Sequence, residues 1–166
     1  FNVRAGLDYA FTPELSMGAS ISYSPQKDNS HRENDSRDYR ILSSKAYELL
    51  RLFPGVADET DKSRYTTANV HLEKSFKSAP KRRLSWDADY VGYRSQEGRN
   101  FTSRGLMPNG TPIPGADFHF DALTDQHTDS YITSLDYTEP LGKGTLGFGA
   151  KGTWTRTTNR SDYDAK

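Results

Sequence analysis

Phe1, Val3, Ala5, Leu7, Tyr9 and Phe11 share one parity of the opening segment, and Asn2, Arg4, Gly6, Asp8 and Ala10 share the other. Side chains alternate between the two faces of a β-strand with period two, whereas a helix repeats near 3.6 residues. So long an alternation predicts a strand with one apolar and one polar face. Thr12-Pro13-Glu14 reads as a tight turn, because proline removes a ladder donor. The pattern then resumes, with Leu15, Met17, Ala19, Ile21 and Tyr23 against Ser16, Gly18, Ser20 and Ser22. The same grammar recurs over 64–76, 84–94, 130–140 and 145–157. The expectation is six strands, near 1–11, 15–24, 64–76, 84–94, 130–140 and 145–157, paired as three hairpins.

Short turns near Pro13, Pro80 and Gly142 alternate with two long connections, 25–63 and 95–128. In an up-and-down meander this puts every short turn at one end of the sheet and both long connections at the other. Residues 25–40 are almost wholly polar and read as exposed loop. Leu42, Ala46, Leu49, Leu50 and Phe53 fall at helical spacing, so a short amphipathic helix is expected over 43–53, with Ser43 or Ser44 as its cap and Pro54-Gly55 as its stop. That helix either forms a surface lid contacting a ligand or a partner lipoprotein, or packs on loop or sheet through Leu42, Leu49, Leu50 and Phe53. The fold class expected is all-β, an antiparallel up-and-down meander of about six strands with one short helix in a long loop.

Strands of 9–11 residues with alternating faces and this asymmetry of connections are what a transmembrane β-barrel requires. On the apolar face Phe1, Tyr23, Tyr90, Tyr131 and Trp154 lie toward the long-connection end. Tyr9, Phe11, Trp86, Tyr137 and Phe148 lie toward the short-turn end. Two aromatic rows around an aliphatic band match interfacial girdles. They also match the core face of a soluble half-exposed sheet, and both readings stay open on pattern alone.

Composition removes several classes. Lys+Arg and Asp+Glu are 22 each, so the formal net charge is zero, which argues against non-specific nucleic-acid binding. Cysteine is absent, which removes disulfides, thiolate metal sites and thiol catalysis. No run of about 18 apolar residues exists to form a membrane helix. The first residue already belongs to a patterned segment and the last few form no element, so the stretch reads as a fragment.

The search for chemistry finds little. His31, His71, His119 and His127 are scattered. His71 and Glu73 share a strand face and so do Asp87 and Asp89, yet polar faces commonly carry such pairs. Asp117, Asp121, Asp125 and Asp129 with two histidines form an acidic stretch over 117–129. It lacks the ordered spacing of a calcium loop, and reads as an exposed loop or a weak cation site. Gly147, Gly149 and Gly152 sit in a strand with no following helix, which excludes a phosphate loop. No catalytic, metal or cofactor-binding residue is assigned, no cofactor is expected, and an enzyme is the least supported class.

The hairpin SYITSLDYTEPLGKGTLGFGAKGTWTRTTN, with YTTANVHLEKSF, RRLSWDADYVGY and GLDYAFTPELSMGASISYS before it, resembles the TonB-dependent outer-membrane receptors, of the outer-membrane β-barrel family common in Bacteroidetes. The resemblance covers most of residues 1–24, 64–94 and 129–158 but neither long connection. It implies a barrel of about 22 strands around a plug, seated in the cell outer membrane and importing a scarce ligand. Its partners would be outer-membrane lipid, the imported ligand and an energy-coupling protein acting through the plug, with no nucleic acid. The chain itself carries neither plug nor energy-coupling box, and on its own it is expected to self-associate. The alternatives are a soluble β-barrel or sandwich that binds a small ligand, and a surface or adhesion protein that does not transport.

Overall fold

The computed structural model describes residues 1–43 and 46–165. Six strands follow one another: β1 (Val3–Thr12), β2 (Leu15–Ser43), β3 (Ala46–Phe76), β4 (Ala79–Ser103), β5 (Phe118–Leu141) and β6 (Gly144–Ala165). They form one sheet in the order β1-β2-β3-β4-β5-β6, so each strand pairs with its sequence neighbours. The meander expected from the alternation is therefore present; five of the six expected strands lie inside observed ones, and the first, 1–11, overlaps β1 from Val3 onward.

The three short turns are two residues long: Pro13–Glu14, Lys77–Ser78 and Gly142–Lys143. β1 and β2 pair from Val3 opposite Tyr23 to Thr12 opposite Leu15, with a register shift between Ala10 and Thr12 that leaves Phe11 as the extra residue of a bulge. At the last turn Gly142 has φ 59°. A type II′ hairpin asks for a positive φ at this first turn position, which glycine adopts without strain.

Three expectations fail, the first being that the last few residues form no element: β6 runs to Ala165. Among the described residues there is no helix, and Ala46–Phe53 begins β3; Ser44 and Lys45 lie outside the described residues. The backbone of this segment is taken by cross-chain pairing: Leu52 and Leu106 exchange N–H···O bonds of 2.9 Å in both directions, and Arg104 N–H donates to Pro54 O at 3.1 Å. The spans 25–63 and 95–128 are also not long loops. Strand covers 25–43, 46–63, 95–103 and 118–128. The remaining connection, 104–117, is itself ordered. Met107 N–H donates to Thr111 O and Ile113 N–H to Gly105 O, each at 2.8 Å.

The strands divide into two compact units. The first holds Phe1–Gln26, Ser63–Arg94 and Gln126–Thr158, and the second Lys27–Lys62, Ser95–Asp125 and Asn159–Lys166. The first unit contains the alternating segments, the second the polar ones. Among the described residues no apolar side chain is buried in a core. Instead Leu7 is 72% exposed, Phe148 61% and Trp154 58%. The accessible surface is 12117 Å², against roughly 8,300 Å² expected for a compact soluble monomer of this mass.

Candidate functional site

The first unit presents two faces of opposite chemistry. On the apolar face the rings gather as the sequence places them. Tyr90 lies 5.2 Å from Tyr131 and Tyr131 5.5 Å from Trp154, centroid to centroid. Nearer the short turns Tyr137 lies 5.2 Å from Phe148, and Tyr9 meets Phe11 edge-on at 4.9 Å. Between the two groups stand Leu7, Ile21 and Leu135, all exposed. The result is an aliphatic band with aromatic rings above and below. Several polar groups on this face are paired within it. Trp86 Nε1–H donates to Thr133 Oγ1 at 2.9 Å, and Tyr90 O–H donates to Asp129 at 2.7 Å. By the short turns Arg82 holds Glu139 with two bonds of 2.6 Å, and Tyr137 O–H joins the same carboxylate.

The opposite face of this unit is a wall of paired polar side chains. Ser22 and Thr67 hydroxyls meet at 2.6 Å, Asn69 Nδ2–H donates to Asp89 at 2.7 Å, and His71 Nδ1–H donates to Asp87 at 2.7 Å. Ser130 and Thr155 meet at 2.9 Å. Each pair joins neighbouring strands, the arrangement that stabilises a sheet by about 0.2–1 kcal/mol per pair. Asp87 and Asp89 are thus separately engaged by β3, and do not face each other as an acid–base couple. His71 lies 3.9 Å from Glu73 but 2.7 Å from Asp87. His71 does stand beside Glu73 as the alternation places it, and the closer partner, Asp87, comes from the next strand, where only the register reveals it.

The second unit has polar residues on both faces, and cross-strand contacts replace an apolar core. Asn100 Nδ2–H donates to Asp121 at 2.7 Å and Gln96 Nε2–H to Asp125 at 3.0 Å. Arg99 reaches Glu59 at 3.4 Å and Glu97 at 3.2 Å. His31 Nδ1 lies 2.6 Å from Asp58, and that contact raises the His31 pKa above its ordinary value. The acids of 117–129 are therefore mostly strand residues with individual partners: Asp121 with Asn100 and His119, Asp125 with Gln96, Asp129 with Tyr90. Among the described residues no three His, Asp or Glu side chains converge as metal ligands. Of the four histidines, each touches a carboxylate and none touches another histidine.

β1 and β6 end the strand order, and both are exposed along their whole length. An unpaired edge cannot persist in hydrocarbon, where every N–H and C=O needs a partner. An apolar face made for lipid therefore requires further strands beside β1 and β6.

This arrangement agrees with the comparison to known proteins. The outer membrane protein beta-barrel family matches residues 74–166, more than half of the chain. No curated protein matches it. The family sites its members in the outer membrane, which assigns the apolar face to lipid and sets aside the soluble small-ligand binder. The chain belongs to the outer membrane protein beta-barrel family.

Proposed function

We propose that this chain forms part of the barrel wall of a TonB-dependent outer-membrane receptor, which binds a scarce ligand and imports it. The observation that carries the reading is the pair of opposed faces in the first unit. One bears the exposed aliphatic band between aromatic groups, and the other the paired polar wall of Asn69, His71, Asp87 and Asp89. Such a wall suits a wet lumen and offers donors and acceptors to a polar solute. The resemblance of the hairpins to the TonB-dependent receptors supplies the import step. Energy would arrive from a coupling protein acting through a plug, and the chain's role is binding and passage rather than catalysis.

An antibody to residues 26–40 tests the reading in cells of the source organism. The expected result is an outer-membrane band several-fold heavier than 18.7 kDa that crosslinks to the energy-coupling protein. An outer-membrane band near 18.7 kDa, or a heavy band that never crosslinks, favours instead a surface protein that does not transport.

A further inference from the structure

Just beyond the upper aromatic group the apolar face changes character. Following the same parity along each strand, Trp154 is succeeded by Arg156, Tyr90 by Gly92 and Arg94, and Thr66 is preceded by Arg64. Three arginines thus stand past the rings on the face that carries them: Arg64 and Arg94 border one cavity, and Arg156 lies with His127 and Asp129 beside another. In a chain of zero net charge this is a local excess. Asp129 is already engaged, since it accepts from Tyr90 O–H at 2.7 Å and lies 3.0 Å from His127 Nε2. Arg64 and Arg94 are exposed, and among the described residues neither forms an ion pair within 4.0 Å, although Arg94 feels the Asp129 carboxylate at longer range.

Arg64 and Arg94 border a cavity of about 240 Å³, with Tyr23, Thr66, Tyr90 and Gly92 completing its lining. Gly92 keeps the floor low, for a Cβ there would stand 2.6 Å from Tyr90 Oη. The cavity therefore offers two forked guanidinium donors, a hydroxyl and aromatic walls. It sits one or two residue pairs past the rings, at the level where headgroups begin, and toward the long connection. Outer-membrane barrels turn that end outward. Guanidinium forks bind phosphate with two parallel bonds, and basic pockets at this depth attract anionic headgroups.

We propose that this cavity is a binding site for the phosphate of an outer-leaflet lipid headgroup, held by Arg64 and Arg94 with the acyl chains along the aliphatic band. The proposal rests on the lipid-facing assignment and not on ligand import, so each can fail without the other.

The test uses the natural membrane-inserted protein in phosphatidylcholine nanodiscs doped with phosphatidic acid, with retained lipid counted by native mass spectrometry. Wild type should retain phosphatidic acid in preference to phosphatidylcholine, and excess inorganic phosphate should not displace it. Arg64→Gln with Arg94→Gln should lower the preference roughly twenty-five-fold, at about fivefold per arginine. Arg64→Lys with Arg94→Lys should fall between, because charge remains and the fork is lost. Arg4→Gln, on the polar face, should leave it unchanged. Equal retention of the two lipids overturns the proposal, as does an unchanged preference in a double-glutamine variant that still migrates as a folded barrel. Displacement by inorganic phosphate would make the cavity a site for a free anion and would also overturn it.

Discussion

Tyr90 and Gly92 work as one unit. The tyrosine ring leans across the glycine, and its O–H reaches Asp129 on β5 at 2.7 Å. A methyl group at position 92 would displace the ring and break that bond. Gly92→Ala should therefore lower the midpoint of urea unfolding of the vesicle-inserted protein by the worth of that one hydrogen bond. Tyr90→Phe should cost a similar amount, and the two should not add when combined, because both remove one interaction. Full additivity would refute the link. His31 gives a second residue-scale prediction. The hydrogen bond to Asp58, aided by the attraction of that carboxylate, raises the His31 pKa above its ordinary 6.5. A raised pKa means that folding favours the charged ring. The contribution is thus fully present below pH 6.5 and is lost as pH climbs through the raised value. An NMR titration of the His31 ring should show a midpoint above 6.5, and Asp58→Asn should bring it down. An unmoved midpoint would mean that the contact does not form in solution.

At the scale of the element, the strands divide into what the sequence announces and what it conceals. Residues 1–11, 15–24 and 145–157 were legible because lipid on one side and water on the other impose an alternation of polarity. β2 and β3 run for 29 and 31 residues, about three times what a bilayer crossing needs. In 25–43 both faces carry polar residues, so the period-two signal vanishes although the strand continues. The segment 46–53 was misread for another reason. Its short apolar run fits a helix by spacing, but pairing of Leu52 with Leu106 holds it extended, and tertiary pairing overrides local preference in so short a run. The same pairing makes 104–117 an ordered connection. Hydrogen exchange should find the amides of Arg104, Leu106, Met107 and Ile113 protected, since each donates to a backbone carbonyl. Leu106→Pro should release Arg104 and Leu106's neighbours first. Exchange across 104–117 at the rate of a free peptide would contradict this docking.

At the scale of the whole molecule, the decisive fact is the apolar area left in contact with solvent. Burying one such side chain contributes about 1.5–3 kcal/mol, and Leu7, Ile21, Trp86, Leu135 and Phe148 all forgo it. Hydrogen bonds along six strands do not replace that term, since sheets need an apolar face covered to be stable in water. The 166-residue chain expressed alone should therefore self-associate or demand detergent, and sedimentation would show it. A monodisperse monomer without detergent would count against the membrane account. The candidate surfaces were only partly legible for the same reason. Face by face, the sequence assigns each residue to lipid or lumen, but His71–Asp87, Asn69–Asp89 and the Arg64–Arg94 cavity arise between strands and depend on register.

The central claim is that over 145–154 of β6 the even-numbered residues face lipid and the odd-numbered residues face water. The chain has no cysteine of its own, so single cysteines carrying a nitroxide can be placed along 145–154 in the natural bilayer-embedded protein. Spin relaxation by oxygen, which concentrates in lipid, should peak at 146, 148, 150, 152 and 154, and relaxation by a water-soluble nickel complex at the positions between. Loss of the alternation, or its inversion, would contradict the account.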